Sequence, residues 1–410
     1  MMNASIRVSS PLTAVVGLLL TVALLAVSPN ADAAEPLLVE KKSFTTRNFA
    51  TVSGEVIPEV TVGWEAYGEL NAAKDNVILI THFFSGNSHA AGKYTPEDPL
   101  PGYWDAIIGP GKAIDTNKYY VVSSDTLANA FPGLPHVITT GPASLNPATG
   151  KPYGLDFPVV TIRDFVNVQH ALLESLGATS LHAVIGASMG SLQAIEWAAA
   201  YPDMVERMVS VIGTGAMDAW TITALEHWAR PIKADPNWNQ GDYYEGEKPL
   251  VGLTSTLAMI TQQAMHPLSM NMRAPQQPVL PEAGLASVTN SLPALDFLFN
   301  AAAGQAPLAD ANHILYLVRA NQLFVAGHEQ DLATGLAKIK AKTLFLPAKN
   351  DLLLQPYMAQ QSVKLLQAQG KDPQYAEIEG IWGHLDGIYS ISSKADLLAE
   401  FINSPTATSN

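Results

Sequence analysis

The sequence predicts an α/β protein: a mostly parallel central sheet flanked by helices, with a helical insertion splitting it late in the chain. Three observations lead there. After residue 40, short apolar runs alternate with helical stretches. The stretch "IGASMGSLQAIEWA" (residues 185–198) passes from a strand pattern, through a serine set between two glycines, directly into a helix pattern. From about Met217 to Asp331 the alternation stops, and it resumes at "KTLFLPA" (residues 342–348).

The first segment belongs to transport rather than to the fold. Arg7 precedes the apolar run "LTAVVGLLLTVALLAV" (residues 12–27), and Ala31-Asp32-Ala33 has the small-x-small pattern of a signal-peptidase site. Residues 1–33 therefore read as a signal peptide cut before Ala34, with an uncleaved anchor as the alternative. The mature chain is expected in the periplasm or outside the cell, with no membrane attachment after cleavage. The full sequence of 410 residues contains no cysteine, which closes the lipoprotein route, disulfides and thiol catalysis. A formal charge of −14 excludes a nucleic-acid partner, which would require a basic surface.

Residues 34–216 read as the first part of the core. "NVILITHFF" (residues 76–84) and "YYVVSSD" (residues 119–125) are buried-strand patterns. "TIRDFVNVQHALLESLG" is a helix: Thr161 caps it, Asp164 suits its positive end and Gly177 stops it. Residues 181–185 form the next strand, and Ser188 opens a helix whose face carries Leu192, Ile195 and Ala199. "RMVSVIG" (residues 207–213) is a further strand. Residues 217–331, rich in Met, Gln and Pro, read as a helical lid, with a merely structural subdomain as the alternative. Ligands bind at the carboxyl edge of such sheets, and flexible methionines suit an adaptable apolar pocket. Residues 332–403 complete the core with strands at 342–348 and 375–379 and the helix "SKADLLAEFIN", and 404–410 form a polar tail.

Ser188, between Gly186 and Gly190, fits a nucleophile elbow, the G-x-S-x-G turn that lifts a hydroxyl above a parallel sheet. With Gly at about 7% of residues, the bare pattern arises by chance in roughly one chain in ten of this length. The strand-turn-helix context is what gives it weight. A serine hydroxyl needs a base, and the base needs an orienting carboxylate. Asp351 in "LPAKNDLLLQP" follows the strand after the lid, and His384 in "GIWGHLDG" follows the last strand. Taken alone, a loop aspartate is usually a turn or capping group, and a glycine-flanked histidine a surface residue. The order Ser, Asp, His, each residue just past its strand, is that of α/β-hydrolase triads. The oxyanion hole should use the backbone N–H of Met189, after the nucleophile, and that of Phe84, in the loop after the strand that ends near Phe83. The histidines are scattered without an H-E-x-x-H cluster, and no phosphate-binding glycine loop opens a helix, so neither metal nor cofactor is expected.

At these residues the chain resembles the homoserine O-acetyltransferase family of α/β-hydrolases. "PGYWDAIIGPGKAIDTNKYYVVSSD", "TTGPASLNPATGKPYGLDFPVVTIRDFV", "GASMGSLQAIEWA" and "ADPNWNQGDYYEG" carry the resemblance, which covers most of residues 40–400. It implies an acyl-serine on Ser188, catalytic roles for Asp351 and His384, a helical lid and, frequently, a homodimer. The chain also departs from the family. Ala187 and Ser191 replace glycines of the elbow. "TLAMITQQAM" lacks the lid Arg, with Gln262 where a Tyr would fall, and offers Leu257, Met259 and Met265 where the family supplies charge and a phenol. Leu385 follows the histidine where the family has Asp, and Asp386 comes one residue later. A carboxylate substrate needs a cation, best a bidentate Arg. Arg273 is the nearest downstream cation and is expected outside the pocket. The favoured reading is an exported serine hydrolase acting on a small acyl ester. An O-acyltransferase using acyl-CoA is the alternative, and an inactive binding protein on the same fold is the third.

Overall fold

Strands with no polar face set the layers of this protein. The computed structural model describes residues 36–276 and 282–405, so the expected signal peptide and most of the polar tail lie outside the described residues. One sheet of eight strands carries the fold. In chain order these are β1 (Lys42–Ala50), β2 (Val56–Tyr67), β3 (Val77–Thr81), β4 (Tyr120–Ser124), β5 (Leu181–Ala187), β6 (Arg207–Val211), β7 (Lys342–Leu346) and β8 (Gln374–Tyr375). Every residue of β3 and β6 is buried, as a parallel strand covered on both faces requires. Their spatial order is β1-β2-β4-β3-β5-β6-β7-β8. The β1–β2 and β2–β4 pairs are antiparallel and the rest are parallel. Strand β3 lies between β4 and β5, where the order reverses, and a crevice opens beyond such a point.

The β1–β2 hairpin was not expected from the sequence. Most of β1 is exposed, so its residues carry no apolar run to mark it. Strands β3 and β6 end at Thr81 and Val211, short of the expected 84 and 213, which frees the following residues as site loops. β8 is only two residues long, and an isolated parallel bridge from Ala348 to Ile378 continues its line.

Helix α1 (Ile162–Leu176) has the expected capping box between Thr161 and Asp164, and Gly177 ends it in the left-handed region at φ 76°. Helix α2 (Met189–Ala200) is buried from Met189 to Ala199 rather than on one face alone. Its outer side is covered too: Glu196 pairs with Arg163 and accepts the Gly327 N–H at 2.7 Å. The insertion contributes α3 (Ala219–Ala234), α4 (Leu250–Ala264), α5 (Pro267–Arg273), α6 (Glu282–Ala286), α7 (Pro293–Gln305) and α8 (Ala311–Gln322). Its ends are clasped together by a bridge between Ala216 and Val325 and by Ala326 N–H donating to Gly215 O at 2.8 Å. Helices α9 (Leu332–Ala337), α10 (Pro356–Ala368), α11 (Asp386–Tyr389) and α12 (Ala395–Asn403) complete the chain. Among the described residues no helix is long and apolar enough to cross a membrane.

A buried ionic cluster ties the loop after β3 to the sheet. Glu65 on β2 is fully buried and accepts from Tyr94 Oη at 2.8 Å, Ser88 Oγ at 3.0 Å and Tyr67 Oη at 3.0 Å. His89 Nδ1 lies 3.0 Å from it and Lys41 Nζ 3.4 Å. Lys41 also pairs with Asp125 at 3.0 Å, and Asp125 accepts the Ser88 N–H at 2.8 Å. Burial pushes the Glu65 carboxyl up, but His89, Lys41 and Tyr94 outweigh it and hold the carboxyl at about 2. The folded value lies below the ordinary 4.5, so this group stabilises the fold fully above pH 4.5. That contribution fades as pH falls through about 2. Glu65→Gln should therefore flatten the acid limb of stability and cost about 3 kcal/mol at neutral pH. Denaturant midpoints measured from pH 7 down to pH 3 check this. Parallel curves for the two proteins would refute it.

Candidate active site

Ser188 sits at the N-terminus of α2 with φ 55° and ψ −121°, a region non-glycine residues rarely occupy. The two glycines make room for that turn. A Cβ on Gly190 would fall 2.0 Å from Thr81 O, and one on Gly186 would fall 2.1 Å from Gly190 O. Thr81 Oγ1 donates to Gly190 O at 2.7 Å, which locks the end of β3 to the first turn of α2. Ser191, at one of the substituted elbow positions, fits against Gly213, where any Cβ would fall 1.4 Å from its Oγ.

The three expected side chains meet. His384 Nε2 lies 2.7 Å from Ser188 Oγ, and His384 Nδ1 lies 2.6 Å from Asp351 Oδ2. All three residues are buried. The other oxygen of Asp351 accepts the N–H groups of Leu353 at 2.8 Å and Leu354 at 3.0 Å, which fixes the carboxylate. This geometry suits an imidazole that donates Nδ1–H to the carboxylate and accepts the serine proton at Nε2. The Asp351 and His384 loops run side by side: Ile378 N–H donates to Pro347 O at 2.8 Å and Lys349 N–H to Ile378 O at 2.9 Å. From the insertion, His266 N–H donates to Trp382 O at 3.2 Å, and Gly383 at φ 72° lies against it. The amides of Met189 and Phe84 donate to no acceptor among the described residues, and Phe84 shares the cleft wall with Ser188.

The cleft above Ser188 holds about 700 Å³ of empty space, counted to its open mouth. Its walls are aromatic and aliphatic, including Phe131, Ile212, Trp228, Leu257 and Leu385. Ser85, Thr261 and Gln305 supply neutral polar groups, and among the described residues no Asp, Glu, Lys or Arg lines it. The expected methionine lining is corrected here. Leu257 reaches the cleft, whereas Met259 and Met265 do not, and Gln262 is exposed. Helical spacing explains this, because the face of α4 turned to the cleft carries Leu257, Ile260, Thr261 and Ala264. Arg273 lies outside the lining, its guanidinium 5.9 Å from the centre of the Trp382 ring. Phe131, Trp228 and Gln305 were not foreseen. Phe131 carried the one readable signal, a position in the loop that follows β4. Among the described residues, no three His, Asp or Glu side chains gather as a metal site needs.

The chain is an α/β-hydrolase: the alpha/beta hydrolase fold family matches residues 140–386. The homoserine O-acetyltransferase of Symbiobacterium thermophilum is 39% identical over 336 residues, covering 81% of this chain and 86% of that protein. That of Methanococcoides burtonii is 37% identical over 344 residues, covering 82% and 69%. Among solved structures, esterase E22 is 57% identical with a TM-score of 0.88, covering 89% of this chain and 100% of that one. The homoserine O-acetyltransferase of Bacillus anthracis is 38% identical with a TM-score of 0.87, covering 90% and 99%. Within the α/β-hydrolases, the protein belongs to the homoserine O-acetyltransferase-like family.

Proposed function

We propose that the protein is an exported serine hydrolase that cleaves small uncharged acyl esters through an acyl-serine intermediate. The observation that carries this reading is the cleft wall, where none of the described residues brings an Asp, Glu, Lys or Arg side chain to Ser188. Homoserine is a zwitterion at neutral pH, and burying either of its charges unpaired costs several kcal/mol. An uncharged ester has no such penalty. The resemblance to a protein named as an esterase, at 57% identity, points the same way. Acyl transfer remains the second reading, supported by the relatives named as acetyltransferases.

In this mechanism Ser188 Oγ attacks the ester carbonyl carbon while its proton passes to His384 Nε2. The new C–O bond pushes the carbonyl electrons onto oxygen, which faces the Phe84 and Met189 N–H groups. Collapse expels the alcohol, which takes the proton from Nε2, and leaves the acyl group on Ser188. Water then repeats the sequence and releases the acid. Asp351 keeps the imidazole in the required tautomer and stabilises the imidazolium.

Export rests on Arg7, the apolar run at residues 12–27 and Ala31-Asp32-Ala33. Acetyl-CoA is a cytosolic donor, so an exported enzyme would meet little of it. The test uses protein recovered from the native host, its N-terminus read by intact mass. It is assayed with short-chain neutral esters and, separately, with acetyl-CoA plus homoserine. The expected result is a chain starting at or near Ala34 that hydrolyses the esters without stimulation by millimolar homoserine. Faster formation of O-acetylhomoserine than of free acid would establish the transferase instead.

A further inference from the structure

The loop that carries His384 contains a second acid, one residue past Leu385, and the two side chains go opposite ways. Leu385 lines the cleft. Asp386 is completely buried behind the turn, where the triad chemistry makes no use of it. We propose that Asp386 is a positioning residue that fixes the backbone on which the catalytic imidazole is mounted. The proposal rests on the reading of His384 as the base.

Asp386 Oδ2 accepts two consecutive backbone amides of that turn, Trp382 N–H at 3.2 Å and Gly383 N–H at 3.1 Å. Its Oδ1 accepts Ser390 Oγ at 2.6 Å, on the chain just past α11. The carboxylate therefore staples the residues immediately before His384 to those that follow it. Gly380 completes the arrangement, because a Cβ there would fall 1.8 Å from Asp386 Oδ1. Gly380 O in turn accepts Asn350 Nδ2 at 3.0 Å, so the segment beside Asp386 is tied to the residue that precedes Asp351. Burial pushes the Asp386 carboxyl above its ordinary range; its three hydrogen bonds oppose that, and nearby Asp351 adds to it. A carboxyl so placed is an expensive way merely to fill space. It becomes intelligible where a backbone must stand still, since misplacing a catalytic group by about 1 Å costs on the order of 100-fold in rate.

The two protonation states of the acid are equivalent for this purpose, because a carboxyl oxygen accepts amides in both. Asp386→Asn preserves that acceptor and Asp386→Ala removes it. Both variants are compared with the parent in ester hydrolysis and in the rate of Ser188 phosphonylation by a fluorophosphonate, below their unfolding temperatures. The expected result for Asp386→Ala is a kcat about 10 to 100-fold lower, KM within about threefold and phosphonylation slowed by the same factor as kcat. Asp386→Asn is expected to return within about fivefold of the parent. Unchanged kcat in the alanine variant overturns the proposal, as does a loss accounted for by the unfolded fraction. Should the alanine variant not fold, Ser390→Ala removes the Oδ1 bond alone. A lower kcat at constant KM there supports the proposal, and unchanged kcat overturns it. Ser188→Ala runs alongside: activity in that variant would remove the triad reading itself, whereas an inactive Ser188→Ala beside a fully active Asp386→Ala removes this proposal only.

Discussion

Ser188→Ala loses ester hydrolysis by about 10⁴ to 10⁶-fold and stays folded. In the proposed mechanism the hydroxyl oxygen forms the covalent bond, and among the described residues its one side-chain hydrogen bond goes to His384 at 2.7 Å. Removing it leaves a methyl group of nearly the same volume, with the same backbone preference and no orphaned partner, because the imidazole can take a water. The proposed oxyanion donors and the cleft are untouched, so substrate should still bind and a residual rate over water should persist. A fluorophosphonate should label the parent at Ser188 and fail to label the variant, with superimposable thermal melts. Label on another serine, or retained turnover, would remove Ser188 from the chemistry.

Nearly as large an effect is expected at the imidazole, and its two partners should differ. His384→Ala removes the base and should approach the loss at Ser188. Asp351→Asn should cost about 10⁴-fold, somewhat less. The reason lies in the fixed carboxylate. Asp351 Oδ1 is committed to the Leu353 and Leu354 amides, so in Asp351→Asn the oxygen must stay there and the NH₂ must face His384 Nδ1. Facing a donor, Nδ1 has to give up its proton. The proton then sits on Nε2, which no longer accepts from Ser188. The triad acts as one unit, so the double variant Asp351→Asn, His384→Ala should be no worse than His384→Ala alone. A steady-state kcat series over the three variants checks this, and multiplicative losses would contradict it.

Ser188 and Asp351 were legible because each follows a strand with a buried apolar stretch, while His384, past the two-residue β8, was legible by its order in the chain. Ser188 follows β5, and Asp351 follows β7 by a few residues. The insertion was legible for the same reason, as the place where that pattern fails. Other features had no such signal. The β1–β2 hairpin is stabilised by pairing at a sheet edge with much of its surface in water, which leaves no periodic trace. The Lys41–Glu65–Asp125 cluster joins residues up to 84 positions apart, and nothing local distinguishes Glu65 from a surface acid. The cleft lining misled for a different reason. Composition marked the insertion as rich in methionine, but which side chains reach the cleft depends on how α4 is rotated about its own axis, and only packing sets that. Asp386 was visible as a one-residue displacement from the family pattern, while its inward direction was not.

The backbone of Ser188 has a consequence for anyone seeking a hardier version of this protein. Its φ of 55° with ψ of −121° is a conformation glycine adopts freely and serine only under load. Holding a side chain there costs on the order of 1 to 3 kcal/mol, against a total stability of about 5 to 15 kcal/mol for a typical domain. Glycine would give back about 1 kcal/mol through the freer unfolded chain, and the balance still favours it. Selection for heat tolerance alone would thus be drawn toward a substitution that removes the hydroxyl on which the proposed chemistry depends. Thermostable variants of this scaffold must be screened for turnover at every round.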